Sequence, residues 1–524
     1  MKRLKLSLRK ATPWYLLAFL LTGIMAWLPL SPVLSAFGNG WVIQDLLDPR
    51  TLGLLGNTVA LATKASVLAI GLGLPLAILA TRTNVLGHHF LRLCIPLPLF
   101  VPPLLLAQAW HGFSGADSAL MAAICLGLSY APLPALFAAR ALRRQSPSSH
   151  QAALLAGGPK SALREMVRLA LPGACLGTAF AFLFIASDFA VPDYFATVGE
   201  KFSVYAGEVF NQFRDQNWRQ GARAAAPLLA LGLAILGLAW FVDCKFGNPQ
   251  GGKVTTPQRL QLQKWHPLLQ IIFSLFAWLA IGLLVLIPIG QLIWESGAAG
   301  PLAEGSWLQR SQTAFADAFT RGRGDFLRSL QTGLGAGAIC FFLAPMWARF
   351  LIQVKGWKKA FLLVLLALPL LTPAMGLGIG AIVIFNQDWL RPFYAGPWLP
   401  ILIFAGRFLP IAIFLTYERM RTVPSSQEEA ATLAGASFLR RIFRYRMGGE
   451  IKVIWLGAAM VAVFSIRELD LAILLPAANA SVAVRYFNAL HFARDQFVAA
   501  FGCLMTLLLF LPYMISSSFQ SSHE

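Results

Sequence analysis

Twelve apolar stretches, spread along nearly the whole chain, decide what this sequence can fold into. Crossing ~30 Å of hydrocarbon takes roughly 20 apolar residues as a helix. Lipid offers no partner to free backbone N–H and C=O groups, so each stretch must be helical. The expected spans are 14–30, 54–81, 90–110, 119–141, 172–191, 222–242, 268–294, 330–353, 360–385, 399–417, 451–475 and 497–514. Only 13% of the 524 residues are charged, against about 25% in soluble domains, and the mean hydropathy is +0.64. The expectation is an all-α integral membrane protein with about twelve transmembrane helices.

The net charge of +20 raises nucleic acid as a partner, but the positions of the charges exclude it. Basic residues gather before the first span (Lys2, Arg3, Lys5, Arg9, Lys10) and between the fourth and fifth (Arg140, Arg143, Arg144, Lys160, Arg164, Arg168). They also follow the sixth (Lys245, Lys253, Arg259, Lys264), the eighth (Lys355, Lys358, Lys359) and the tenth (Arg419, Arg421, Arg440, Arg441, Arg444, Arg446). All of these lie on one side of a membrane, and positive loops stay cytoplasmic. Both termini are therefore expected in the cytoplasm. The start of the chain, basic and then apolar as far as Leu34-Ser35-Ala36, has the outline of a cleaved signal peptide. Losing the first span would reverse the side of every later basic loop, so it is read as a span. Six scattered cysteines without a CxxC pair indicate neither a disulfide framework nor a metal site.

The same landmarks occur twice in the same order. Pro75 matches Pro345, Pro98 and Pro102 match Pro369 and Pro373, Pro134 matches Pro410, Pro147-Ser148-Ser149 matches Pro424-Ser425-Ser426, and Asp188 matches Glu468. The offset drifts from 270 to 280, as small loop changes after a duplication would leave it. Six spans per copy is an even number, so the two copies enter the membrane alike and are related by an axis along its normal, with a pathway at their interface. The expected units are 1–243 with a cytoplasmic loop 143–171, a linker 244–266, and 267–524 with a loop 419–450. The two prolines in each of 97–106 and 368–377 favour broken helices beside that pathway. Intramembrane Lys64, Arg407, Arg467, Glu468 and Asp470 carry an insertion cost that marks them for function or for pairing. Gate candidates are Pro98, Pro102, Pro369, Pro373, Asp188, Arg467 and Glu468, with an Arg467–Glu468 ion pair as the plainer reading of the last two.

Each of the two cytoplasmic loops holds a short helix rich in small residues. One reads Gln151-Ala152-Ala153-Leu154-Leu155-Ala156-Gly157 and the other Glu429-Ala430-Ala431-Thr432-Leu433-Ala434-Gly435. Small side chains let another surface come close, and the glycine ends the helix. Apolar triplets at i, i+3, i+4 follow: Leu163, Met166, Val167 and Leu439, Ile442, Phe443. This is the form of a docking element.

At these residues the chain resembles the inner-membrane permease subunits of binding-protein-dependent ABC importers, whose cytoplasmic Glu-Ala-Ala…Gly loop enters a groove of an ATPase. The second copy matches at Glu429, Ala430, Ala431 and Gly435 but has Met447-Gly448 where the family closes with Leu-Pro. The first has Gln151 in place of Glu and keeps Leu171-Pro172. The fused double unit, with Arg467-Glu468-Leu469 and Val482-Ala483-Val484-Arg485-Tyr486, resembles the ferric-iron, thiamine and aminophosphonate importers, with ferric iron favoured. The resemblance implies a type I importer permease of the bacterial inner membrane without catalytic residues or cofactors. It also implies two ATP-binding cassette subunits on the two loops and a periplasmic binding protein opposite. The alternative is an ion-gradient-driven secondary transporter, which gives no reason for two docking loops. A membrane enzyme would need nucleophile or metal-ligand motifs, and the sequence shows none.

Overall fold

The computed structural model describes residues 13–38, 48–143, 147–215, 218–246, 260, 262, 267–299, 304–421, 425–446, 451–491 and 495–521. Met447-Gly448 and most of the linker lie outside them. The described residues form helices and no strands, apart from one isolated parallel bridge between Thr83 and Leu260. Eight helices are long and apolar enough to cross a membrane, and ten spans result when each of two bent pairs counts as one. The two remaining expected spans correspond to Ile451–Arg467 and Asp495–Ser521.

Span 1 is Pro13–Ser35, span 2 Pro49–Arg82, span 4 Ala119–Arg143, span 6 Gln220–Ala239, span 7 Leu268–Ser296 and span 10 Trp398–Met420. Span 5 follows the break at Gly157-Gly158 and ends at Ser187, so Pro172 lies inside a helix and does not begin one. Span 8 is a 47-residue helix, Trp307–Gln353, about 70 Å long at 1.5 Å per residue. It starts well ahead of the expected Leu330 because a capping box at Ser306 and Gln309 nucleates it. Its first turns carry Arg310, Asp317, Arg321, Arg323, Asp325 and Arg328, so that part projects beyond the hydrocarbon.

The duplication extends into the first span of each copy. Gly23–Trp27 and Gly282–Leu286 are both five-residue π-helical turns, and each precedes a proline by one turn, Pro29 and Pro288, 259 positions apart. Proline lacks an N–H and crowds the carbonyl four residues back, and the helix widens to accommodate it. The jump in offset from 259 to 270 falls inside the helices, since span 8 has 47 residues and span 2 has 34.

These first spans are exchanged between the copies. Span 1 lies on the second copy, where Trp27 Nε1 donates to the Leu365 carbonyl (3.2 Å) and Trp347 Nε1 to Thr22 Oγ1 (2.9 Å). Gly406 permits this approach, since a Cβ there would stand 2.3 Å from the Met25 carbonyl oxygen, the group that Pro29 displaces. Span 7 lies on the first copy, where Trp278 Nε1 donates to the Leu86 carbonyl (3.0 Å) and Gln270 Nε2 to the Asn84 carbonyl (2.7 Å). Leu260 and Leu262 of the linker are buried against this corner, with Leu260 N–H on the Arg82 carbonyl at 2.7 Å.

Candidate functional site

The two copies meet through equivalent residues. Phe184 stacks on Phe464 with centroids 6.4 Å apart and planes 6° from parallel, and the two are 280 positions apart in sequence. Phe137 stacks on Phe414 at 6.1 Å, 277 positions apart. Self-contact of equivalent positions is what a two-fold axis produces. Near the lower pair, Arg140 of span 4 forms an ion pair with Glu418 of span 10.

Beside the upper pair stand both proline breaks. Span 3 divides into His88–Phe100 and Pro103–Ser114, bent by 98°, and span 9 into Trp357–Leu371 and Ala374–Phe385, bent by 91°. Pro98 sits in the 3-10 turn Leu97–Phe100, while Pro102 and Pro373 are the N-cap residues of the helices that follow the breaks. Pro369 lies in the last turn of Trp357–Leu371. A break strands backbone carbonyls with no helical partner, and in an apolar interior such groups must be satisfied.

Two arginines of the second copy satisfy them. Arg407 Nη1 donates to the Thr372 carbonyl at 2.8 Å and reaches the Pro369 carbonyl at 3.5 Å. Arg467 crosses the axis: Nη1 donates to the Leu99 carbonyl of the first break, and Nη2 to the Tyr130 hydroxyl at 3.3 Å. Its guanidinium carbon lies 5.5 Å from the Tyr130 ring and 5.4 Å from the Phe464 ring. The Arg467–Glu468 ion pair, the plainer reading of the sequence, is not what forms, because Arg467 is engaged by the first copy. Glu468 Oε1 instead lies 3.9 Å from Arg407 Nε.

Asp188, Arg407, Arg467, Glu468 and Asp470 all line one cavity, together with Pro102, Tyr130, Phe184, Ala483 and Tyr486. Asp188 caps the helix Ala190–Val198, accepting from Val191 N–H at 3.0 Å. The equivalent acids Asp188 and Glu468 thus face a common space, but both arginines and Asp470 come from the second copy alone. Formally the cavity carries three carboxylates against two guanidinium groups. Sequence reasoning missed Tyr130, and named Tyr486 only within a longer segment. Also missed was the chain from Tyr486 Oη to Gln108, and on from Gln108 Nε2 to Glu295 at 3.3 Å. A glutamine and a glutamate inside apolar runs were the available signal. Lys64, also intramembrane in sequence, is exposed on span 2 and stands apart from the cavity.

The two loops rich in small residues are helical elbows. In the second, Ser425–Leu433 ends at Gly435, whose φ of +80° needs a residue without Cβ. Ala436 N–H returns to the Ala431 carbonyl and Gly435 N–H to the Thr432 carbonyl, at 3.0 and 3.1 Å, the Schellman arrangement. In the first, the break falls across two glycines, and Gly158 takes the positive φ of 63° while Gly157 does not. Gln151, Ala152, Glu429 and Ala430 are exposed, Ala153 is half-buried, and Ala431 is buried. Equivalent leucines protrude from both elbows, Leu155 at 89% exposure and Leu433 at 69%.

The family model described as "Binding-protein-dependent transport system inner membrane component" matches the chain twice, over residues 69–246 and 338–521. A "Probable ABC transporter permease protein y4fN" of Sinorhizobium fredii (strain NBRC 101917 / NGR234) is 24% identical over 476 residues, covering 82% of this chain and 81% of that protein. With the unit present twice in one polypeptide, and with apolar helices throughout, the chain belongs to the inner-membrane permease family of binding-protein-dependent ABC importers, as a fused double permease.

Proposed function

We propose that this chain alone supplies both halves of the translocation pathway, and that each elbow seats one ATP-binding cassette subunit. Leu155 and Leu433 would fill equivalent pockets, with Gln151, Ala152, Ala153 and Gly157 on one elbow and Glu429, Ala430, Ala431 and Gly435 on the other shaping the contact. The observation that carries this reading is the pair of nearly naked leucines at matching positions on helices ended by glycine. A single exposed apolar side chain needs no explanation, but its recurrence at the same position of both copies supports a partner site. The basic loops support a cytoplasmic position for both elbows and both termini, and the unit boundaries proposed are 1–243 and 267–524 around the linker 244–266. A periplasmic binding protein delivers solute from the other face.

The cavity between the proline breaks is the gate in this reading. It is closed by Arg467 holding the first break and Arg407 the second. ATP-driven approach of the elbows rocks the halves about the Phe184–Phe464 contact, and the arginines exchange carbonyl partners for Asp188, Glu468 and Asp470. Ferric iron remains the favoured solute, followed by thiamine and aminophosphonate. Ala483 and Tyr486 of the segment carrying that likeness line the cavity, which supports its place on the path. The test is uptake into proteoliposomes holding the permease, its ATPase and its binding protein. Uptake that requires all three and ATP is expected. Uptake by the permease alone, driven by an ion gradient, would overturn the proposal.

A further inference from the structure

Away from the axis, a crevice of about 480 Å³ opens between span 1 (Trp14, Leu17), span 8 (Phe342, Met346) and the second elbow (Leu439, Phe443), and all nine lining side chains are apolar. Leu17 is 41% and Phe342 56% exposed although they form its walls, so nothing described in this chain covers them. Water has no partner there, and apolar cavities stay dry unless an apolar guest enters. Left to water, these apolar walls would forgo the stabilisation that burial gives apolar surface. The setting, at the basic-loop end of two antiparallel spans, supplies one abundant guest, the acyl chain of a phospholipid.

The charge around the crevice selects among phospholipids. Arg349 lies one turn beyond Met346, Lys355 follows the end of span 8, and Arg440 adjoins Leu439, whereas Arg441 is buried and donates to Thr432 Oγ1 at 2.8 Å. No Asp or Glu occurs in 1–38, 339–359 or 436–446, the three segments that build the wall and its rim. Arg440 is exposed, free to meet a headgroup phosphate while the acyl chain lies along Leu439 and Phe443. We infer that this crevice is a binding site for one anionic phospholipid, whose tail wedges span 1 against the second elbow. On the docking role proposed above, the lipid would brace that elbow against its ATPase; lipid binding itself does not depend on that role.

The test is native mass spectrometry of the purified full-length permease, released from nanodiscs holding phosphatidylglycerol and phosphatidylcholine in equal amounts. The wild type is expected to keep one phosphatidylglycerol through detergent exchange. L17W combined with L439W, which fills the crevice, is expected to lose it. R440Q, a change on the exposed rim that leaves the packing alone, is expected to lower the preference for phosphatidylglycerol about fivefold, the worth of one arginine near an anionic headgroup. An unchanged lipid count in the filled variant, or no preference between the two lipids, would overturn the inference. So would an adduct that appears only after residues 2–12 are deleted, which would assign the crevice to the chain's own N-terminus.

Discussion

Replacing Arg467 by methionine tests how the two halves are held closed. Arg467 is 6% exposed and ties the Leu99 carbonyl of the first proline break to the second copy. Methionine keeps the stem and removes the guanidinium, so the Leu99 carbonyl and the Tyr130 hydroxyl lose their donor. Hydrogen bonds to a charged group contribute about 1.5–3 kcal/mol each, and truncating one partner of a buried charged cluster costs about 3–5 kcal/mol. The cavity would also be left with three carboxylates against one guanidinium. If about 3 kcal/mol of this belongs only to the closed arrangement, its population relative to the open one falls roughly 150-fold. The assay is ATP hydrolysis by the reconstituted complex without binding protein, read beside thermal unfolding of the permease. R467M should hydrolyse ATP at least tenfold faster than wild type in the absence of binding protein, with uptake no longer coupled, while R467K, keeping one donor, should fall between. Wild-type basal hydrolysis and wild-type unfolding in R467M would refute the reasoning.

Three further changes probe other parts of the account. L155D and L433D should each weaken ATPase binding by about 10- to 150-fold, the worth of one leucine buried at about 1.5–3 kcal/mol, with permease folding unchanged; pull-down of the purified ATPase measures it, and retained binding in the double variant would remove the leucines from the interface. G406L drives a side chain into the Met25 carbonyl and should lower stability by about 1–3 kcal/mol, seen as a lower unfolding temperature with looser retention of span 1 under limited proteolysis. Swapping Arg140 and Glu418 should restore what R140E and E418R singly lose, since the half-exposed pair crosses between the copies; a coupling of about 1 kcal/mol in the double-mutant cycle is expected, and zero coupling would deny the contact.

What was legible in the sequence is what short-range physics writes there. Prolines four apart in each of two matching apolar runs favour broken helices, so the breaks at Pro98, Pro102, Pro369 and Pro373, though not their angles of 98° and 91°, were foreseeable. The elbows were foreseeable from small residues ended by glycine, although with Gly157 and Gly158 adjacent the sequence does not say which takes the positive φ. Long-range partners were not legible. Leu99 and Arg467 are 368 positions apart, and nothing local to Arg467 distinguishes a carbonyl across the axis from the carboxylate beside it. The outer part of span 8 escaped for a different reason. Its helix is held by a cap and an amphipathic pattern outside the hydrocarbon, where hydropathy carries no signal. The duplication of span 1 escaped because the extra residues within span 8 interrupt the slow drift of the offset that the other landmark prolines follow.

The central claim is that one polypeptide carries two motor seats. Native mass spectrometry of the assembled transporter, purified through a tag on the permease, tests it most directly. The account predicts one permease chain with two ATPase subunits. A complex with two permease chains, or with a single ATPase subunit that stays single when the subunit is added in excess, would contradict it.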